Sequence, residues 1–86
     1  MDESKITIKA TDEILKGVYA NLLMINHSRE EYVLDFMSVI AGNGALVSRI
    51  FMSPGHLKRT IKALQENLSK YESKFGAIIE AEELKS

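Results

Sequence analysis

The chain contains no cysteine and no tryptophan, a single proline, and no excess of one charge. Each shortage excludes something. Without cysteine there is no disulfide framework and no thiolate-bound metal. Eleven Lys and Arg stand against twelve Asp and Glu, for a net charge of −1. The chain as a whole is therefore not drawn to polyanions by bulk attraction. No stretch approaches the roughly 18 apolar residues of a membrane span. The opening Met-Asp-Glu-Ser-Lys has no apolar run behind it to make a signal peptide. A cytoplasmic location is the expectation, in keeping with the missing cysteines.

What is present fits one small domain over residues 1–86, with residues 1–4 and 80–86 as frayed tails. A domain of this size buries only about two-thirds of its unfolded surface and commonly needs a supplement. Disulfides are excluded. His27 and His56 lie far apart with no second ligand at metal-binding spacing, so no metal site is expected. Self-association remains.

The pattern along the chain is α+β: three to four antiparallel strands, then one long helix. Residues 5–9 alternate polar and apolar and read as a short edge strand with lysine at both ends. Residues 11–17 suit a single helical turn capped by Thr11 and stopped by Gly17. Residues 18–25 are almost continuously apolar and of strand length. A further strand is expected over residues 31–40, with Tyr32, Leu34, Phe36 and Ile40 on one face and Val33, Met37 and Val39 on the other. Asp35 interrupts the second face. Asn43-Gly44, within Ala41-Gly42-Asn43-Gly44, predicts a primed hairpin turn. Residues 45–52 then form the last strand, with Leu46, Ile50 and Met52 opposed to Val47, Arg49 and Phe51.

Ser53-Pro54 is a helix start, because serine can cap a free amide and proline at the first position loses no hydrogen bond. The helix should end near Phe75, with Gly76 as a left-handed stop. Leu57, Ile61, Leu64, Leu68, Tyr71 and Phe75 recur at spacings of 4, 3, 4, 3 and 4. This narrow seam is expected to lie on one face of the chain's own sheet; pairing with a helix of another copy is the other possibility. Glu66 stands four residues before Lys70, a favourable spacing for an ion pair. Residues 77–79 could add a short strand or dock on the core. One helix covers only one sheet face, and either face left over carries large apolar groups. A dimer or a binding platform is the expected answer.

Catalytic patterns are missing. The serines are scattered, without a nucleophile elbow, and Gly42-Asn43-Gly44 belongs to a hairpin and not to a phosphate loop. No catalytic residue and no cofactor is assigned. Asp35 and His56 are the only positions worth testing for an enzymatic role, and a cross-strand ion pair between Asp35 and Arg49 is the preferred account of the acid. The unusual feature is the helix start, where acids are normally favoured. His56, Lys58, Arg59 and Lys62 stand there instead, with Arg49 on the preceding strand. An anion held near Ser53 would reconcile them, although the penalty for exposed cations is only a few tenths of a kcal/mol each.

Gly17-Val18-Tyr19-Ala20-Asn21, Leu34-Asp35-Phe36 and Arg49-Ile50-Phe51-Met52-Ser53-Pro54, continuing through Lys58, Leu64, Asn67 and Tyr71-Glu72 to Phe75-Gly76, carry a resemblance. In these residues the chain is similar to the bacterial and archaeal family called domain of unknown function 3467. The resemblance implies a compact prokaryotic protein and transfers no functional residue. The layout of strands followed by one helix is also similar to that of PUR and Whirly proteins, which bind single-stranded nucleic acid as dimers or larger rings; layout alone does not fix function.

The expected function is a non-enzymatic homo-oligomeric binding or adaptor protein acting on another protein. The alternative is a dimeric binder of single-stranded nucleic acid. It would use Tyr19, Tyr32, Phe36 and Phe51 as stacking groups with Arg49, Lys58, Arg59 and Lys62.

Overall fold

The computed structural model describes residues 5–80. Its elements run α1 (Asp12–Leu15), β1 (Leu22–His27), β2 (Tyr32–Ile40), β3 (Asn43–Met52) and α2 (Pro54–Phe75). The strands form one antiparallel sheet in the order β1-β2-β3, with β2 central. The architecture is therefore α+β with three strands. The fourth expected strand, over residues 5–9, is not formed; past Lys5 that segment has no regular structure, and Ile6 and Ile8 are exposed. Alternation prepares a backbone for pairing but supplies no partner for it. Residues 77–79 likewise form no strand, and Ile78 and Ile79 face solvent. The expected tails lie outside the described residues, apart from Glu80. Among those described, no helix is long and apolar enough to cross a membrane.

The described residues group into two compact units. One takes the chain up to Ile25 together with Leu34–Ile50; the other takes Asn26–Val33 together with the chain from Phe51 onward. In the first, α1 is the single turn the sequence predicts. Thr11 Oγ1 accepts from Ile14 N at 3.2 Å, and Gly17 follows at φ +74°. β1 begins four residues later than expected because Asn21 takes over the edge of the ladder. Its backbone N–H donates to Met37 O at 2.9 Å. Its side-chain amide donates to Val39 O at 2.9 Å and accepts from Val39 N at 2.8 Å, imitating a strand residue.

The β2–β3 hairpin turns two residues earlier than the Asn-Gly signal suggested. Positive φ falls on Ala41 (+50°) and Gly42 (+80°), while Asn43 and Gly44 are already in β3. Two adjacent positive φ values are what a type I′ turn needs, and Ala41 meets that need at a cost of about 1–2 kcal/mol. Ala41→Asn, which places Asn-Gly at the turn itself, should therefore raise the unfolding free energy by about 1 kcal/mol. Urea titration of the two proteins measures it, and an unchanged or lower midpoint counts against a strained turn.

In the second unit α2 matches its expected bounds. Ser53 Oγ accepts from His56 N at 3.1 Å and Ser53 O accepts from Leu57 N at 2.9 Å, with Pro54 at the start. At the other end Gly76 N donates to Glu72 O at 2.8 Å. Gly76 has φ +94° and ψ 168°, so the stop is not the left-handed helical one expected but an extended conformation open essentially to glycine alone. The Glu72 carboxylate then accepts from Ile78 N at 2.9 Å and fixes the chain beyond the helix. Glu66 and Lys70 form no ion pair among the described residues.

Burial is sparse. Leu34 on β2 is the one buried residue among those described, at 7% exposure. All four apolar residues of β1 from Leu22 to Ile25 are exposed, at 42–53%, although their side chains point to alternate faces. The α2 seam is equally bare: Leu57 is half-buried, while Ile61, Leu64, Leu68, Tyr71 and Phe75 are 45–65% exposed.

Candidate functional site

The residues singled out from the sequence separate into distinct surroundings. Asp35 and Arg49 do meet, on adjacent strands. Arg49 Nε donates to Asp35 Oδ1 at 2.7 Å and its Nη2 to Oδ2 at 2.9 Å, a two-pronged fork. Near the turn the two strands run side by side, since a Cβ on Gly44 would stand 3.6 Å from Val39 Cγ2.

The Asp35 side chain is 13% exposed and that of Arg49 53%. Hydrogen bonds from Arg49 hold the Asp35 carboxyl below the ordinary carboxylate range; burial opposes this and the Arg49 charge reinforces it. The same contacts raise the Arg49 guanidinium. Because the folded state depresses this carboxyl, the unfolded chain takes up the proton more readily. The stabilisation is present above the titration of an unfolded aspartate, about pH 3.9, and is lost as pH falls from there through the lower folded value. Asp35→Asn should lower the melting temperature at neutral pH, and the gap from the natural protein should close as pH falls from about 5 to about 2. A gap that stays constant in thermal scans over that range contradicts the assignment.

With its fork engaged, Arg49 stands in a strand-to-strand pair. At the α2 start, Ser53 already occupies the His56 and Leu57 amides, and Lys58, Arg59 and Lys62 are exposed with no acid in the first turn. His56 also gives its carbonyl to Thr60 Oγ1 at 2.8 Å. His27 is the last residue of β1, and its ring centroid lies 5.1 Å from that of Tyr32. Among the described residues no three His, Asp or Glu side chains gather as they would around a metal.

The aromatic candidates do not all sit on strands as expected. Tyr19 precedes β1 and is 73% exposed; Tyr32 and Phe36 are half-buried on β2, and Phe51 on β3 is exposed. Tyr19 and Phe36 belong to one compact unit, Tyr32 and Phe51 to the other.

Two open hollows flank the α2 seam. One, of about 430 Å³, is lined by His56, Arg59, Thr60, Ala63, Leu64 and Asn67. The other, of about 490 Å³, is lined by Gln65, Leu68, Ser69, Glu72, Ser73 and Ala77. Neither gathers an acid–base pair at hydrogen-bond distance. Between them runs the exposed seam, ending in Tyr71 and Phe75 with ring centroids 4.9 Å apart. The sequence reading missed the Asn21 clip and the Glu72 cap, whose only advance signals were an asparagine at the mouth of an apolar run and an acid near a helix end.

Comparison with curated proteins and with solved structures finds no significant match to either. The family model described as "Protein of unknown function (DUF3467)" matches residues 1–80, and the chain belongs to that family.

Proposed function

We propose that the protein is a non-enzymatic, self-associating binding or adaptor protein. The observation that carries this reading is the exposed α2 seam, apolar at heptad spacing and uncovered in the single chain. Water is a poor neighbour for five such groups along one line. The four exposed apolar residues of edge strand β1 point the same way, since an uncovered edge is a template for association. The functional partner is another protein, engaged by apolar surface left over after self-association, and the compartment is the cytoplasm. Light scattering across a concentration series tests the reading. A mass of two chains or more at micromolar concentration is expected; a single-chain mass at every concentration, with the fold intact, overturns it.

A second reading, binding of single-stranded nucleic acid, draws on the exposed Lys58, Arg59 and Lys62 with no acid beside them in the first turn. It requires oligonucleotide affinity that falls steeply with salt.

A further inference from the structure

The geometry points to an antiparallel pairing of α2 with α2 of a second copy as the contact that covers the seam. The inference rests on the self-association reading and specifies its interface. Read as heptads, the seam places Ile61, Leu68 and Phe75 at one core position and Leu57, Leu64 and Tyr71 at the other. In an antiparallel pair each residue of the first set faces one of the second. Leu64 then meets Leu68 of the other copy, Ile61 meets Tyr71, and Leu57 meets Phe75. The large rings at one helix end thus lie over the smaller side chains at the other. In a parallel pair, Tyr71 would oppose Tyr71 and Phe75 would oppose Phe75.

Charge decides between the two directions. The antiparallel register sets Lys58 beside Glu72 of the second copy, twice by symmetry, and Gln65 beside Gln65. On the other flank Thr60 meets Lys74 and Asn67 meets Asn67. Every flanking contact is then either opposite in charge or uncharged on one side. The parallel register gives Thr60 with Gln65 and Asn67 with Glu72, and no ion pair. Lys58 and Glu72 cannot satisfy each other within one chain: fourteen residues of helix separate them by about 21 Å, well beyond the roughly 8 Å screening length in physiological salt. Glu72 is half-buried, and Oε2 accepts from Ile78 N, which leaves its other carboxylate oxygen for an approaching lysine.

The test uses the natural chain. A water-soluble carbodiimide joins a lysine to a carboxylate only where they touch, and mass spectrometry of the dimer band identifies the joined peptides. A Lys58–Glu72 link is expected. Mixing isotopically heavy and light chains should show it running between copies. In parallel, Lys58→Glu should weaken association about tenfold or more, because two attractions become two repulsions. Adding Glu72→Lys should restore it, which no contact within one chain could do. A single-chain mass throughout sinks the self-association reading and this inference together. A dimer without the Lys58–Glu72 link, whose links run from seam to sheet or show no rescue by the double exchange, sinks the helix pairing alone.

Discussion

Leu64→Asp should yield a chain that still folds but no longer self-associates. Leu64 is 65% exposed in the single chain, so its removal takes little from the fold of one copy. The helix itself loses about 0.5 kcal/mol in propensity. In a pair of helices the position is central. Two leucines would lose their burial, at about 1.5–3 kcal/mol each, and two carboxylates would be brought together near the symmetry axis in partly apolar surroundings. The sum reaches about 4 kcal/mol or more, which is about a thousandfold in the dissociation constant. Ser73→Asp serves as control: it adds the same charge to the same helix on the side away from the seam and should leave the mass unchanged. Sedimentation equilibrium reads the mass and circular dichroism the helix content. If Leu64→Asp unfolds the isolated chain, the seam was part of the internal core after all. If it folds and keeps the dimer mass, copies meet elsewhere.

The helices were the most legible part of the sequence, because their ends are written in local chemistry. Ser53-Pro54 and Gly76 fix α2, and Thr11 and Gly17 fix α1, each through a residue type that satisfies or releases a backbone group nearby. Strands depend on what lies across from them, and there the reading slipped. Residues 5–9 have a strand's alternation and no pairing strand. Ala41-Gly42-Asn43-Gly44 holds two candidate turns, and the choice fell to the register of β2 against β3. The Asp35–Arg49 fork was visible because a single acid and a single base interrupt adjacent apolar strands. Asn21 gave no comparable sign; its role comes from replacing backbone with side chain, a substitution that composition does not reveal. Which surface meets the α2 seam was not legible, because spacing shows that a helix has an apolar side and not what lies against it.

Leu34→Ala should lower the unfolding free energy by about 3 kcal/mol, the usual cost of a large-to-small change at a buried site. Leu34 is the one buried residue among those described and sits on central strand β2, with β1 and β3 on either side. Folded domains are stable by only about 5–15 kcal/mol, so the loss is a large share of the whole. Leu23 supplies the comparison. It stands on β1 at 42% exposure, and in a lone chain Leu23→Ala should cost about half as much or less. If association also covers the sheet, Leu23 becomes core-like and its cost should approach that of Leu34. Denaturant unfolding of both variants separates the cases when repeated over a range of protein concentration, because burial supplied by a second copy makes the midpoint concentration-dependent. Equal costs with a moving midpoint place β1 inside the interface. A small cost for Leu23 with a moving midpoint leaves β1 outside the interface and confines association to α2, whereas a fixed midpoint means that no second copy adds to stability.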